Sequence, residues 1–295
     1  MNDINNNNRA LKIRQLDRRF FPVNLLEIPQ PPKTLFMLGQ FPTKNTKFLT
    51  VVGSRKFSNY GKEACERIIE GLRGYNISIV SGLALGMDSI AHKTALSVGL
   101  HTIAIPGSGL QANVLYPSTN RYLAEKIVAS GGALLSEFEP DFCATKWSFP
   151  QRNRIMAGIS DAVLIIEAAQ KSGTLITARM AVDYNKTVLA VPGSIFSDNS
   201  KGTNQLITQG ATPISTSDDV LLALGIPARE AREKDTQNIE CSPEEVKILA
   251  ILTEPMPRDL IIAEMRLPTE TTNSLLSLLE IKGLIKEQVG KIYPV

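Results

Sequence analysis

The stretch LTVVGSRKFSNY, residues 49–60, decides the fold. A short apolar run, Leu49–Val52, drives directly into Gly53-Ser54-Arg55. An apolar run this short, closed by a turn, reads as a strand buried on both faces. A helical stretch from about Gly61 to Gly74 follows it. Glycine lets the backbone approach a ligand, serine adds a hydroxyl, and the next helix N-terminus adds free N–H groups and a positive dipole end. Such a turn suits a phosphate, and either a nucleotide cofactor or a nucleic-acid backbone would supply one.

The same pattern recurs outward along the chain. ISIV (77–80) leads into SGLALGMDSIAHKTALSVG, and HTIAI (101–105) into PGSGL. GALLSE (132–137) precedes what reads as a long loop, AVLIIEA (162–168) leads to SGTLITARMAVDYN, and TVLAVPG (187–193) to the helix-like TNQLITQG. Apolar strands alternating with helices predict βαβ units and an extended Rossmann-like α/β domain. Its parallel sheet carries helices on both faces. Right-handed crossovers then place the strand-end turns on one edge, where open α/β sheets bind ligands.

The flanks read differently. Residues 1–18 are expected to be a disordered tail, Asn-rich over its first fifteen or so positions. In FFPVNLLEIPQPPKTLFMLG, Pro29, Pro31 and Pro32 exclude a helix. That segment reads as an extended arm ending in a strand near Leu35–Leu38, within a domain spanning 19–225. A charged linker is expected over 226–241, and a second module over 242–295. There Ser242, Pro243 and Glu245 form an N-terminal capping box. Three helices and a two-stranded wing turning at Gly290-Lys291 suggest a winged helix.

Composition narrows the classes. The chain has 295 residues, 43% hydrophobic, with no run of apolar residues long enough for a membrane span. No secretory h-region is visible, and Cys65, Cys143 and Cys241 stand far apart, so the expected compartment is the cytoplasm. Residues 1–48 carry eight basic and three acidic residues, whereas 226–295 carry nine and twelve. The acidic C-terminal module is therefore not expected to be a duplex-DNA footprint and is expected to bind protein or assist dimer contacts.

Two nucleotide readings fail. The chain contains no GxxxxGK[ST] and no GxGxxG after its first strand, so no nucleotide cofactor is expected. Arg55 either forks onto a phosphate from the side or pairs with a carboxylate. The segment FCATKWSFPQRNRIMAGIS, 142–160, has no acidic residue between Asp141 and Asp161. It interleaves Lys146, Arg152 and Arg154 with Phe142, Trp147 and Phe149. Cations neutralise phosphates and aromatic faces stack on unpaired bases, which favours single strands. The alternative is a loop core with a solvated basic rim. His92 reads as a structural histidine, and neither it nor His101 sits in a triad or zinc motif. Glu137 and Glu167 read as helix caps or arginine partners.

The motifs GSR (53–55), SGLALGMDSIAH (81–92), TIAIPGSGL (102–110), FPQRNRIMAGIS (149–160), SGTLITARMA (172–181) and VLAVPG (188–193), in this order, resemble the DNA-processing protein A family (DprA/Smf). The likeness runs from about Phe21 to Leu224, with a family-like winged helix after it. Residues 1–18 are too short for the helical N-terminal domain of other members. The resemblance implies a single-stranded-DNA-binding recombination mediator, not an enzyme. Such a protein protects incoming DNA and loads RecA onto strands covered by single-strand-binding protein during natural transformation. It also implies a homodimer. The implied DNA-binding residues are Gly53, Ser54, Arg55, Lys146, Phe149, Arg152, Asn153, Ser172, Gly173 and Thr174. Some relatives have a basic residue where Ser118 stands. The competing reading is a nucleoside-monophosphate-binding enzyme related to phosphoribohydrolases. Against it, Ile176 or Thr177 occupies the position of the required glutamate.

Overall fold

In chain order, the first unit runs β1 (Arg14–Gln15), α1 (Val23–Leu26), β2 (Phe36–Gly39), β3 (Lys47–Val52), α2 (Asn59–Glu70), β4 (Ile77–Ser81), α3 (Met87–Ser97) and β5 (His101–Ala104). It continues α4 (Arg121–Ala129), β6 (Ala133–Ser136), α5 (Ser148–Ile159), β7 (Ala162–Ile165), α6 (Thr174–Asp183), β8 (Thr187–Ala190), α7 (Lys201–Thr208), β9 (Thr212–Pro213) and α8 (Ser217–Ala223). The computed structural model describes residues 12–227, 241–252, 255–288 and 290–294. They fall into two units, Met1–Ala228 and Arg229–Val295.

The nine strands form one sheet in the order β1-β2-β6-β5-β4-β3-β7-β8-β9. From β6 to β9 every neighbour is parallel. The chain steps outward from β3 through β4 and β5 to β6, then returns to the other side of β3 as β7. The strand order therefore reverses between β3 and β7, the crevice where open α/β sheets take ligands.

Strand alternation explains the two cores. Leu49 and Val51 face the layer of α2, α3 and α8, packing with Ile68, Ile69, Met87, Ala91 and Leu221. Val52 faces the layer of α1, α5 and α6, with Leu25, Ile155, Met156, Ile159 and Ala178. Each fully buried aliphatic side chain contributes about 1.5–3 kcal/mol. Thr50, fully buried on β3, donates to the Met156 carbonyl at 3.0 Å, so its hydroxyl is satisfied.

The structure adds four details to the sequence expectations for this unit. The sheet is mostly parallel, but β2 runs antiparallel to β6 and β1 antiparallel to β2. Arg14 pairs with Met37 and Gln15 with Phe36, so the expected tail 1–18 includes a strand; residues 1–11 lie outside the described residues. The proline-rich arm contains one helical turn, α1, placed ahead of Pro29 where proline does not forbid it. The loop after β6 ends at Trp147, because α5 forms from Ser148. Pro150 sits in its first turn, where no intrahelical N–H is needed, and Arg152, Ile155, Met156 and Ile159 form its buried face.

In the second unit, α9 (Pro243–Ile251), α10 (Arg258–Met265) and α11 (Thr269–Ile281) enclose a core of Ile248, Leu252, Ile261, Leu276, Leu279, Ile285 and Ile292. The capping box of Ser242 and Glu245 is present. The wing has three strands, not two. β10 (Met256–Pro257) adds to β11 (Ile285–Gln288) and β12 (Lys291–Pro294). The expected linker lies mostly outside the described residues.

Candidate nucleic-acid interface

The turns after β3 and β7 meet at the switch point. Thr174, first residue of α6, donates its hydroxyl to the Gly53 carbonyl at 3.2 Å. Its own N–H donates to Ser172 Oγ at 3.1 Å, which closes the Ser-Gly-Thr turn on itself. The Ser54 hydroxyl donates to the Lys56 carbonyl at 2.8 Å and fixes the other turn. A third turn supports it, because Met87 N–H donates to the Ser54 carbonyl at 3.2 Å. That approach needs Gly86, whose φ is +85° and where an added Cβ would lie 2.6 Å from the Arg55 carbonyl oxygen. Gly53, Ser54, Arg55, Ser172, Gly173 and Thr174 are thus brought together.

Arg55 projects from this cluster, exposed, with its guanidinium 5.9 Å from the centre of the Phe149 ring. Phe149 lies in the first turn of α5, half-buried, and tilts against Tyr116 at 5.6 Å. Its ring occupies the space that a Cβ at residue 107 would take, so Gly107 is the floor beneath it. Ser148 anchors this turn: its hydroxyl donates to the Gly107 carbonyl at 2.6 Å. Lys146 stands exposed just before it. Among the described residues, neither Arg55 nor Lys146 enters an ion pair. Among the described residues the carboxylate partner weighed for Arg55 is therefore not seen, and both cations are exposed.

Arg152, implied by the resemblance to bind DNA, is 6% exposed, with Nη1 on the carbonyls of Gly82 and Ile105 at the ends of β4 and β5. Its Nε donates to Asn153 Oδ1 at 3.1 Å, which holds Asn153 beside it. Burial lowers the Arg152 pKa to about 10, with Asp88 opposing the shift, so it remains a cation at neutral pH. Asp88 in turn accepts from the N–H groups of Gly82 (3.1 Å) and Ala84 (3.3 Å). Burial raises its pKa and the Arg152 charge opposes that. Arg152 and Asp88 therefore clamp the strand ends under the site. Arg154 is also internal, bridging Glu137 and the Gln30 carbonyl.

The other sequence candidates resolve structurally. Trp147 is 55% exposed, edge-on to Phe138 and Phe142. Glu167 accepts from Ser58 N–H (3.0 Å) and Oγ (2.5 Å) and so holds the N-cap residue of α2. His92 is fully buried with Nδ1 2.8 Å from Thr102 Oγ1, and burial pushes its pKa down to about 3. His101 sits between Ser78 and the Gln40 carbonyl. At the glutamate position of the phosphoribohydrolase-like reading, Thr177 is buried and Ile176 is aliphatic. Ser118 offers no cation, and nearby Arg121 donates to the Asn113 carbonyl at 2.9 Å. Among the described residues no cluster of His, Cys, Asp or Glu could hold a metal ion, and no helix is long and apolar enough to cross a membrane. Sequence reading missed Asp88, Ser148 and Tyr116. Only Asp88, an acid inside an Ala- and Gly-rich helix start, carried a visible signal.

Fold and site together define an extended Rossmann-like α/β protein with an open cationic and aromatic strand-end edge, followed by a winged helix. A family profile described as DNA recombination-mediator protein A matches residues 12–225, and one described as the DprA winged helix domain matches 227–291. The chain belongs to the DNA-processing protein A (DprA/Smf) family. It is 35% identical to Protein Smf of Escherichia coli over 282 residues, covering 93% of this chain and 75% of that one. It is 40% identical to DNA processing protein DprA of Streptococcus pneumoniae over 201 residues, 68% of this chain and 70% of that one. Two solved structures are similar. DNA processing protein A of Streptococcus pneumoniae has a TM-score of 0.66 and 37% identity, covering 72% of this chain and 74% of that one. The Helicobacter pylori protein has a TM-score of 0.64 and 32% identity, covering 73% and 96%.

Proposed function

We propose that this chain binds single-stranded DNA along the switch-point edge and acts as a recombination mediator. In this reading it protects incoming strands and hands them to RecA in place of single-strand-binding protein, as a cytoplasmic homodimer, during natural transformation. The observation that carries the reading is Arg55 poised 5.9 Å from the Phe149 ring, beside the joined Gly53 and Thr174 turns. A cation and an accessible aromatic face at one turn suit a phosphate and its unpaired base. The family match and the Helicobacter pylori relative, described as having a unique single-stranded DNA binding mode, support it. Gly53, Ser54, Arg55, Lys146, Phe149 and Ser172 to Thr174 would contact the strand. Arg152 and Asn153 would hold the floor. We read the protein as a binding protein and not as an enzyme, since both histidines and both strand-end glutamates are engaged within the fold.

The test is fluorescence anisotropy of labelled single- and double-stranded oligonucleotides across a salt series, for wild type, Arg55→Ala and Lys146→Ala. Tight single-strand binding with weak duplex binding is expected. Each variant should lower the salt slope by about 0.7, one phosphate contact on a single strand. Equal binding by variants and wild type would displace the site. Release of free base from a nucleoside monophosphate would favour the enzymatic reading instead.

A further inference from the structure

The strand-end edge continues past the Ser-Gly-Thr turn. Val52, Ile165 and Ala190 stand in register across β3, β7 and β8, so the loop after β8 leaves the sheet at the same edge as the Gly53 and Ser172 turns. Two strand spacings, about 10 Å, separate β8 from β3. The loop carries Ile195, 77% exposed, and Phe196, 91% exposed. A large ring left almost wholly in water adds nothing to the core. Its loop is nevertheless tied down at several points. The Asn204 side chain accepts from the Gly193 N–H at 3.1 Å and donates to the Gly193 carbonyl at 2.9 Å. The Tyr60 hydroxyl donates to the Pro192 carbonyl at 2.6 Å, and Phe196 N–H donates to Ser194 Oγ at 3.3 Å. Asn199 donates to the Lys56 carbonyl at 2.9 Å, which fastens the loop to the residue after Arg55.

Cations lie between Arg55 and this ring. Lys56 and Lys171 are exposed, and among the described residues neither enters an ion pair. Lys171 immediately precedes the Ser172 turn. The acid in the loop, Asp198, is balanced by Lys201 at 2.6 Å. Phe149 stands on the other side of Arg55, over Gly107 beyond the end of β5. Along the edge the order is therefore an aromatic ring, a cation, a glycine and hydroxyl turn, and a second aromatic ring. An apolar protein partner would want an apolar surround, whereas the neighbours of Phe196 in the loop are mostly serines and charged residues. Cations that track a backbone, interleaved with rings on which bases stack, match an unpaired nucleic-acid strand.

We propose that Phe196 is a second stacking platform for single-stranded DNA. A DNA strand held by a phosphate at Arg55 crosses the Ser172–Thr174 turn and lays a further base on the Phe196 ring. The inference rests on the single-strand reading above and lengthens its site from the β5 end of the edge to the β8 end. Stacking on a ring face takes any base, so the platform adds affinity without sequence preference.

Anisotropy of a labelled twenty-nucleotide thymidine oligomer tests it on the full chain, for wild type, Phe196→Ala, Phe196→Leu and Phe196→Trp. Phe196→Ala and Phe196→Leu should each weaken binding about tenfold, the size of one stacked base, and Phe196→Trp should keep wild-type affinity. The leucine variant separates an aromatic face from apolar bulk. The salt slope should match wild type in all three, because no charge is lost. The ring is exposed, so the unfolding midpoint of Phe196→Ala should equal that of wild type. Unchanged binding in Phe196→Ala, or wild-type binding in Phe196→Leu, overturns the platform and leaves the Arg55 site standing. Failure of wild type to bind the oligomer overturns both readings.

Discussion

The hydroxyl of Thr174 donates to the carbonyl of Gly53 at 3.2 Å, joining two turns 121 residues apart in the chain. The bond spans the point where the strand order reverses, so it sets the spacing between the two turns that would grip one phosphate. Thr174→Val keeps the shape and removes the donor. It should cost about 1 kcal/mol of stability, the usual net value of such a bond. It should also weaken oligonucleotide binding several-fold at unchanged salt slope, as read by denaturant titration and anisotropy.

Arg55 and Arg152 look alike in the sequence, and opposite outcomes are expected on truncation. Arg55→Ala should leave the unfolding midpoint nearly unchanged and weaken DNA binding. Arg152→Ala removes the donor to the Gly82 and Ile105 carbonyls and leaves Asp88 buried without its nearby cation. A loss of about 3–5 kcal/mol in stability is expected. Thermal unfolding of both variants decides the matter: equal stability would refute the buried clamp.

Phe149 is the aromatic platform beneath Arg55. Phe149→Ala should cost about 1–3 kcal/mol of binding, one stacked base. Because no charge is lost, the salt slope should match wild type. A changed slope would mean that the ring positions Arg55 and does not stack on a base.

His92 makes stability fall with acid. Its pKa drops from 6.5 to about 3 on folding, because burial disfavours the charged imidazolium. Above pH 6.5 the ring is neutral in both states and exerts no pH dependence. Below pH 6.5 the unfolded chain takes up a proton that the folded one refuses. Stability therefore falls by about 1.4 kcal/mol per pH unit towards pH 3 from this group alone. Unfolding titrations from pH 7 to pH 4, compared with a His92→Gln variant, should show the variant with the shallower acid slope.

Much of the architecture was legible because strand burial is written locally. Leu49–Val52, Ile77–Val80 and Ala162–Ile165 are apolar runs closed by turn residues, and each is a central strand. The capping box at Ser242 was legible for the same reason. Helix α5 was not. Its buried face includes Arg152, and Pro150 near its start reads as a breaker unless the helix boundary is known. The pairing of β1 with β2 was equally hidden, since two residues carry no periodicity. Of the candidate site, the Gly-Ser-Arg and Ser-Gly-Thr turns meet at one strand-end edge, with Phe149 beside Arg55. The burial of Arg152 was not legible, because charge is visible in a sequence and burial is not.

The sequence by itself determined the alternation of strands and helices, the strand-end turns and the two-module layout, because these follow from periodicity and turn chemistry over a few residues. Only the tertiary structure decided which turns meet and which cations stay exposed. Strand order is set by crossovers that connect distant segments. The placement of α5 then directs Arg152 inward against two backbone carbonyls and leaves Arg55, on the adjacent turn, facing water.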